Sequence, residues 1–382
     1  MLWVWLAGLG ALLWLSILAL PWQPWRAREV LDSADQPPDA DLSDVTVLIP
    51  ARNEAEALPQ TLGALALQGT GLRVVLVDDH SDDGTAQVAR QLLQNRDRVL
   101  TAAALPAGWS GKLWALEQAR VDATTPLILL LDADIVLDPG LLATLRDKLR
   151  GEGLQFISLM AKLRAEAFWE RALMPAFVYF FKLLYPFRLA NDPAYPGIAA
   201  AAGGCILLEA RVLDRIGGFG ALRGALIDDC TLAARVKAQG FAVWIGLTRS
   251  VHSIRRYNTL QAVWNMVARS AFTQLRYSWL VLIALSAIFG VAFWLPLLAL
   301  SSGAHWPVAL ALVALAAMTI SYLPMVRFYR LSLAWALALP IVATLFLAMT
   351  WSSAWRWQFG DGSAWKGRVY AGAADSGGQR RS

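Results

Sequence analysis

The apolar residues of this chain follow two patterns: long uninterrupted segments near both ends, and short runs in the middle. Four segments are long enough to cross a bilayer as an α-helix, which requires about 20 residues. They occupy residues 2–20, 279–300, 306–325 and 331–350. We therefore predict an N-terminal transmembrane helix within residues 1–26 and transmembrane or re-entrant helices within residues 278–351.

A secretory signal peptide is the alternative for the first segment. No basic residue precedes this segment, and Pro21-Trp22-Gln23-Pro24-Trp25 follows it instead of a small-residue cleavage site. A retained anchor is therefore favoured. Two arginines, at positions 26 and 28, come shortly after it. The positive-inside rule then predicts that the following domain lies in the cytoplasm. The four apolar segments together predict a multi-pass protein, and we expect a bacterial-type inner (cytoplasmic) membrane.

In the middle of the chain, over residues 45–270, short apolar runs alternate with stretches of helical periodicity. Strands are predicted at residues 45–49, 73–77 and 126–131, and helices at 56–67, 85–93 and 140–149. This alternation predicts βαβ units, and hence an α/β fold with a mostly parallel sheet whose ligands bind at the carboxyl ends of the strands. Residues 27–44, rich in Asp, Pro and Ala, are predicted to be a linker.

Two parts of the chain leave alternatives open. Residues 168–187 are rich in aromatic side chains and poor in charge, which predicts either a core helix or a helix lying on the bilayer. The tail, residues 352–382, is basic. Three full crossings after a cytoplasmic domain would leave this tail outside, whereas a re-entrant last helix broken at Pro340 would return it to the cytoplasm.

The composition agrees with a membrane protein. Hydrophobic residues make up 57% of the chain and charged residues only 16%, against roughly 25% in soluble domains. The 18 tryptophans are concentrated outside the middle region, as is typical of residues at a membrane–water interface. The net charge of +5 comes without a dense Lys/Arg stripe, which indicates a membrane surface and no nucleic-acid partner. Cys205 and Cys230 lack metal-ligand spacing and are expected to be reduced thiols.

Three pairs of carboxylates carry the candidate chemistry of the middle region. They are Asp78 with Asp79, Asp132 with Asp134, and Asp228 with Asp229. The first two pairs follow predicted strands, and carboxylates at the ends of buried strands are costly unless something binds them. The second pair, spaced two residues apart, can share a divalent cation together with a diphosphate. Hard oxygen ligands suit Mg²⁺ or Mn²⁺.

These acidic residues belong to four ordered motifs that resemble family 2 glycosyltransferases. The motifs are Val-Thr-Val-Leu-Ile-Pro-Ala-Arg-Asn-Glu (45–54), Val-Asp-Asp-His-Ser-Asp-Asp-Gly-Thr (77–85), Leu-Asp-Ala-Asp (131–134) and Asp-Asp (228–229). The resemblance covers residues 45–252. It implies the GT-A fold, a nucleotide-sugar donor and a divalent cation, Mg²⁺ or Mn²⁺.

The resemblance assigns eight residues to the donor. They are Pro50, Ala51, Glu54, Asp78, Asp79, Lys112, Asp132 and Asp134. The first three would hold the nucleoside, and either aspartate of the second motif would accept hydrogen bonds from uracil or ribose, because carboxylates are pure acceptors. Lys112 precedes a predicted helix and would meet the diphosphate at the helix N-terminus. Asp82 and Asp83 are expected to cap the helix that follows them.

The metal and the reaction complete the implied site. Asp134 and Asp132 would bind the cation, and the late His252 would complete the metal site unless it is a structural histidine. Asp229 falls at the position of the family's base, and the neighbouring Asp228 should raise one of the two pKa values. A single displacement with one base inverts the anomeric centre. Gly203 and Gly204 resemble the acceptor-side loop, whose backbone must approach closely.

The chain departs from the family's processive polysaccharide synthases at one motif. Arg255-Arg256-Tyr257 stands where those enzymes carry Gln-x-x-Arg-Trp, which favours transfer of a single sugar. We expect the two arginines to lie at the membrane surface. A nucleotidyltransferase on a similar sheet would need a Gly-rich first loop, which is missing.

The order of anchor, GT-A domain, hydrophobic bundle and the tail motif at residues 362–370 resembles the hopene-associated glycosyltransferases, with carotenoid glycosyltransferases sharing much of the plan. This implies a membrane lipid acceptor, a hopanoid or another isoprenoid. A polyprenyl-phosphate or diacylglycerol acceptor is the alternative, and so is a non-catalytic membrane scaffold.

Overall fold

The computed structural model describes residues 1–34, 40–225, 227–359, 363–365 and 368–370. The chain divides into two compact units. The sheet unit contains Glu29–Arg164 and Phe187–Arg256, and the helical unit contains Met1–Arg28, Ala165–Pro186 and Tyr257–Ser382.

The helices and strands are numbered in chain order. The strands are β1 Val45–Ala51, β2 Arg73–Asp78, β3 Arg98–Thr101, β4 Leu127–Leu131, β5 Ile135–Leu137, β6 Phe156–Lys162, β7 Cys205–Glu209, β8 Val243–Ser253, β9 Ser363–Trp365 and β10 Arg368–Tyr370. The α-helices are α1 Leu2–Ala19, α2 Leu58–Ala66, α3 Thr85–Leu92, α4 Gly111–Val121, α5 Leu141–Gly151, α6 Phe168–Leu184, α7 Phe187–Asn191, α8 Ala210–Ile216, α9 Asp228–Ala238, α10 Leu260–Ala268, α11 Ala271–Gln274, α12 Trp279–Phe289, α13 Leu295–Ala299, α14 His305–Phe328 and α15 Leu339–Phe359.

One eight-stranded sheet forms the sheet unit, in the order β3-β2-β1-β4-β7-β6-β8-β5. The first four strands in this order, β3, β2, β1 and β4, are parallel to one another, as the alternation of strands and helices predicts. β7 is antiparallel to β4 and β6, and β5 is antiparallel to β8, while β6 and β8 are parallel. The predicted α/β class is confirmed, and antiparallel pairs enter only in the second half.

Helices cover both faces of this sheet, which is why its central strands are apolar at nearly every position. Successive residues of β4 alternate between two cores: Leu129 packs with α2 and α5, and Leu130 packs with α4 and α9. All five residues of β4 and all seven of β1 are buried. Polar groups can therefore collect only past the strand ends.

The segment predicted as a linker is attached to the sheet over its described part. Leu31 N donates to Leu247 O at 2.9 Å, and Leu247 N donates to Glu29 O at 2.7 Å. Leu42 is completely buried in the core of the sheet unit. The predicted range 27–44 is therefore part of the folded unit where it is described, and residues 35–39 lie outside the described residues.

In the helical unit, α1 packs closely on the late helices at a break in their backbone. A π-helical turn, Gly290–Trp294, joins α12 to α13, and Pro296 lacks the N–H that would otherwise bond the carbonyl of Ala292. Trp14 Nε1 donates to this carbonyl at 2.8 Å. At Gly10 a Cβ would lie 2.9 Å from Pro296 Cγ. The absence of a side chain there permits the close approach.

The aromatic segment at 168–187 forms α6, which belongs to the helical unit. Tyr179 Oη and Ser321 Oγ of α14 lie 2.7 Å apart, and Phe180 contacts Phe289, Phe293 and Phe346. Most residues of α6 are buried, so it is a core helix of the helical unit, which is the first of the two predicted alternatives; a position on the bilayer stays a prediction. The sheet unit accordingly lacks α6 and ends at Arg256, whereas a continuous domain over 45–270 was predicted.

Four helical stretches are long and apolar enough to cross a membrane: Leu2–Ala19, Trp279–Ser302, His305–Phe328 and Leu333–Phe359. The last runs antiparallel to α12, because Trp357 contacts Phe272 just ahead of α12 and Trp351 contacts Trp279 at its start. α15 also begins soon after α14 ends. In the tail, the backbone of β9 and β10 forms an antiparallel hairpin. The rest of residues 360–382 lies outside the described residues.

Candidate active site

A cleft in the sheet unit gathers six of the thirteen predicted site residues at the carboxyl ends of β1 and β4 and the N-terminal ends of α4 and α9. Its lining residues are Pro50, Lys112, Leu113, Leu116, Leu130, Leu131, Asp132, Gly203, Ile206, Phe219, Leu222, Asp228, Asp229 and Leu232. Apolar side chains form its walls, and one lysine faces three aspartates among them.

Lys112 and Asp132 form an ion pair in this cleft, with 2.7 Å between Nζ and Oδ1. Lys112 is the second residue of α4, where the Oγ of Ser110 accepts the backbone N–H of Leu113 as a helix cap. Burial alone would lower the pKa of Lys112, but Asp132 and then Asp228 raise it above its ordinary value. Burial raises the pKa of Asp132, and Lys112 opposes that shift. The cleft therefore keeps a fixed positive charge.

Asp229 is held by two backbone hydrogen bonds and has a raised pKa. Its Oδ2 accepts the N–H of Gly203 at 2.8 Å, and its Oδ1 accepts the N–H of Cys230 at 2.7 Å. Burial and the neighbouring Asp228 raise the pKa of Asp229 to about 6. A carboxylate with a pKa near the working pH both takes up and releases a proton readily. These two hydrogen bonds fix its orientation toward the cleft's backbone.

Asp78 and Asp79 lie at the end of β2 and are almost completely buried, at 5% and 2% exposure. Asp78 Oδ2 accepts the N–H of Ser81 at 3.3 Å, but none of the described residues donates to its Oδ1. Arg52 donates to the backbone oxygen of Asp79 at 2.6 Å. Buried polar atoms nearly always have hydrogen-bond partners, so the Oδ1 of Asp78 is a candidate ligand contact.

The loops after β1 and β2 are held together in an unusual backbone conformation. Asn53 and His80 have φ of 51° and 55°, in the left-handed region that residues other than glycine rarely adopt. Asn53 N donates to Ser81 Oγ, and Asn53 Oδ1 accepts the N–H of Asp82. Such strain is concentrated at functional sites. Asp83 accepts the N–H groups of Ala55 and Thr85, so its predicted capping role extends to bracing the two loops.

Asp134 is paired with an arginine that the sequence did not suggest. Arg255 Nε donates to Asp134 Oδ2 at 2.8 Å, and a terminal nitrogen of the same guanidinium donates to Glu54 Oε1 at 2.7 Å. Arg255 reaches this place because it follows β8, the partner of β5, and Ile254 N bonds Asp134 O at 3.0 Å. Arg255 is therefore bonded to two carboxylates of the sheet unit, a role that was not predicted, and its place at the membrane surface stays a prediction.

His252, predicted as a metal ligand, is not brought to the aspartate pair. The β5–β8 register sets it opposite Val136, and its Nε2 lies 3.1 Å from Asp138 Oδ1. Within the described parts of the chain, no three His, Cys, Asp or Glu residues form a group that could hold a metal ion. Asp132 and Asp134 still fit Mg²⁺ or Mn²⁺, because such ions need only one or two carboxylates and take other ligands from water and phosphates.

Glu117 of α4 contributes a contact that sequence reasoning missed. Its Oε2 accepts the N–H of Phe219 at 2.7 Å, and Arg120 bridges Glu117 and Asp214 at 2.9 and 2.8 Å. Gly218 adopts φ of 67°, and a Cβ there would lie 2.8 Å from Glu117 Oε2. The contact joins α4 to the Phe219 wall of the cleft. An i,i+3 Glu–Arg pair on α4 was the only sequence signal.

The remaining predicted residues line or support the cleft. Ala51 is buried in β1, and its carbonyl accepts the N–H of Asp79 at 2.8 Å. Gly204 O accepts the N–H of Asp132 at 3.1 Å. A Cβ on Gly203 would lie 3.2 Å from Lys112 Nζ and 3.3 Å from Asp229 Oδ2. The glycine pair thus lets a backbone segment pass between the lysine and the base.

Comparison with known proteins adds a family match and two relatives. Residues 43–273 match the model of the family described as glycosyltransferase like family 2. The chain is 32% identical over 94 residues to 4,4'-diaponeurosporenoate glycosyltransferase of Staphylococcus haemolyticus, 25% of each protein. It is 30% identical over 115 residues to poly-beta-1,6-N-acetyl-D-glucosamine synthase of Staphylococcus aureus, 29% of this chain and 27% of that one. These matches span about a quarter of the relatives' lengths.

One solved structure resembles nearly the whole chain. It is the mannosyltransferase PcManGT from Pyrobaculum calidifontis in complex with GDP-Man and Mn²⁺, with a TM-score of 0.54 and 19% identity. The alignment covers 94% of this chain and 99% of that one. At this identity the likeness shows the fold alone. The predicted GT-A fold is confirmed.

Proposed function

Since the chain belongs to the family 2 glycosyltransferases, we propose that it transfers one sugar from a nucleotide-sugar donor to a membrane lipid, with inversion at the anomeric carbon. The observation that carries this proposal is the arrangement of Lys112, Asp132 and Asp229 around one cleft. It combines a positive charge for a leaving diphosphate with a base for an incoming hydroxyl.

The reaction follows from these groups. Asp229 accepts the proton of the acceptor hydroxyl, and the hydroxyl oxygen forms a bond to the anomeric carbon as the bond to the diphosphate oxygen breaks. Attack from the side opposite the leaving group inverts the centre. Lys112 stabilises the charge that develops on the diphosphate, because a fixed cation in a water-poor site needs no reorganisation. Asp228 keeps the pKa of Asp229 raised.

A divalent cation would be held by Asp132 and Asp134. When bound, it would neutralise charge on the leaving diphosphate, as metal ions do in related phosphate chemistry. The structurally similar mannosyltransferase was crystallised with Mn²⁺. His252 lies against Asp138 and is better assigned to a structural role.

The nucleoside would bind at the end of β2. The buried Oδ1 of Asp78 can accept a hydrogen bond from the N–H of uracil or from a ribose hydroxyl. Pro50 and Ala51 are the last residues of β1, where Ala51 pairs with Asp78, and Glu54 lies in the loop that follows. We propose a UDP-linked donor because the second motif resembles that of family 2 glycosyltransferases; the acceptor oxygen of Asp78 alone fits uracil and guanine equally.

The acceptor is inferred from the helical unit and one relative. Four candidate membrane spans accompany the sheet unit, and one relative is named 4,4'-diaponeurosporenoate glycosyltransferase. Both observations support an isoprenoid lipid such as a hopanoid. A polyprenyl phosphate or diacylglycerol is the second candidate, because each is also presented by the membrane. A non-catalytic scaffold is disfavoured, since the buried Oδ1 of Asp78 has no hydrogen-bond partner among the described residues, and such an atom costs stability unless a ligand binds it.

Calorimetric binding of a nucleotide-sugar panel to the full-length protein in detergent, with and without Mn²⁺, tests the donor site. We expect one UDP-sugar to bind in a Mn²⁺-dependent manner and to lose that dependence in Asp134→Asn. Asp147→Asn, an exposed position on α5, is the matched control. Folded protein that binds no member of the panel would overturn the proposal in favour of a scaffold.

A further inference from the structure

The guanidinium of Arg255 occupies the position between two of the donor-site carboxylates. It bonds Asp134 at 2.8 Å and Glu54 at 2.7 Å, and these two side chains are only 14% and 13% exposed. Glu54 comes from the loop after β1 and Asp134 from the loop after β4. One side chain from the end of β8 thereby joins the two loops on which the donor would rest.

Both members of the Asp-x-Asp pair therefore have a cation from the chain itself. The Nζ of Lys112 is 2.7 Å from Asp132 Oδ1, and the Nε of Arg255 is 2.8 Å from Asp134 Oδ2. Each pairing offsets the cost of holding a poorly solvated carboxylate. A divalent cation that approaches Asp134 meets a positive charge already bonded to it, and this repulsion is strong where water is scarce.

We propose that Arg255 is a positioning residue that occupies the cation site in the donor-free protein, so that Mn²⁺ binds only together with a nucleoside diphosphate. The diphosphate supplies a second anion for the guanidinium and further oxygen ligands for the metal. Binding of donor and cation then becomes a single coupled event. This inference rests on the proposed donor site.

The substitution Arg255→Gln removes the positive charge but keeps a side chain of similar reach. In the absence of nucleotide, we expect the variant to bind Mn²⁺ roughly tenfold or more tightly than the unmodified protein, since the carboxylates no longer have their cation. Arg255→Lys restores the charge and should return Mn²⁺ binding to its weak level. A purely structural role would give the same Mn²⁺ affinity in all three proteins.

The measurement is the free-Mn²⁺ electron paramagnetic resonance signal during titration of the full-length protein, first alone and then with UDP, each read against the same titration without protein because UDP itself binds Mn²⁺. Arg256→Gln is the matched control, because that neighbouring arginine is exposed and has the same charge. We expect the unmodified protein and the control to bind Mn²⁺ strongly only with UDP, and Arg255→Gln to bind it without UDP.

Two failures can be told apart. If the unmodified protein binds Mn²⁺ with UDP, but Arg255→Gln is no tighter for Mn²⁺ alone, the role of Arg255 is overturned and the donor site stands. If no protein in the set binds Mn²⁺ with or without UDP, the proposed cation-dependent donor site and this inference fail together.

Discussion

At the scale of single residues, Asp229 shows how local contacts set chemistry. Its carboxylate is oriented by the N–H groups of Gly203 and Cys230 and stands next to a second carboxylate, Asp228. Burial and that neighbour raise its pKa, while the two hydrogen bonds and Lys112 limit the rise. The balance leaves a carboxylate that is ionised above about pH 6, as a general base must be.

A pH dependence follows from that pKa of about 6. The base must be ionised, so transfer should be constant well above pH 6 and fall about tenfold per pH unit below it. The stability effect has the opposite sign. Because the folded pKa lies above the ordinary value of 3.8, Asp229 favours the folded state at low pH, and this contribution is lost as pH rises through about 6. Initial transfer rates between pH 5 and 8 measure the first effect, and a flat profile contradicts it.

Gly203 offers a second test at this scale. Gly203→Ala would put a Cβ 3.2 Å from Lys112 Nζ and 3.3 Å from Asp229 Oδ2, so one of them must move. Displacing a reacting group by a fraction of an ångström costs on the order of 10- to 100-fold in rate. Gly63→Ala on α2 is the control, because a Cβ there meets nothing within 4 Å. Equal transfer rates for the two variants would show that Gly203 has no such role.

The sequence predicted the residues whose role follows from motif position, and it missed those that depend on distant contacts. Lys112, Asp132 and Asp229 line one cleft, as expected. Arg255 lies 121 residues from Asp134 along the chain, so its pairing depends on the β5–β8 register rather than on local pattern. The predicted metal contact of His252 was missed for the same reason, because the β5–β8 register places its side chain beside Asp138.

At the scale of elements, the break between α12 and α13 depends on a side chain from α1. Pro296 frees the carbonyl of Ala292, and the indole of Trp14 satisfies it at 2.8 Å. Hydrogen bonds between membrane helices contribute on average about 0.6 kcal/mol, and up to about 1.7 kcal/mol. The fixed donor geometry of Trp14 and its burial at 1% exposure suggest a value near the upper end.

A double-mutant cycle tests whether the Trp14 indole compensates for the hydrogen bond that Pro296 cannot donate. Trp14→Phe keeps the aromatic ring but removes the donor, and we expect a loss of about 1–2 kcal/mol in stability. Pro296→Ala supplies a backbone N–H to the same carbonyl, so Trp14→Phe should cost much less in that background. Thermal unfolding in detergent measures the stability of the four proteins. Equal costs in both backgrounds would mean that the indole does not compensate for Pro296.

The elements that escaped prediction were those with weak local patterns. β5 has three residues and β3 four, too few for a periodic signal. β7 follows Gly203 and Gly204, which favoured a loop, and its antiparallel place between β4 and β6 is fixed only by long-range pairing. The helix periodicity of α6 was evident, but its assignment to a unit depended on tertiary contacts.

At the scale of the whole molecule, contacts within the helical unit indicate how many segments cross the membrane. α12–α13 and α14 form a hairpin, so α14 ends on the side where α12 begins. α15 starts shortly after that end, and its last turns contact Phe272 and Trp279 near the beginning of α12. The segment Leu333–Phe359 therefore begins beside the end of α14 and ends beside the start of α12, with α15 as its returning arm, which supports the re-entrant alternative for the last segment.

We predict three crossings, by α1, α12–α13 and α14, with the C-terminal tail on the cytoplasmic side. Single cysteines at Gly303, in the α13–α14 turn, and at Ser382 test this in intact cells with a membrane-impermeant thiol reagent. Cys205 and Cys230 are buried and give a low background. Labelling of Gly303→Cys without Ser382→Cys is expected. Labelling of both from outside would mean that α15 crosses.

The central claim is that Asp229 is the base of a glycosyl transfer, and one paired measurement tests it most directly. The full-length protein and Asp229→Asn are reconstituted in bilayers of bacterial lipid with the bound UDP-sugar and Mn²⁺. Donor binding and the mass of the lipid product are then recorded together. We expect equal donor binding, one added hexose per lipid with the unmodified protein, and product formation reduced at least 100-fold in the variant. Undiminished product from Asp229→Asn would contradict the account.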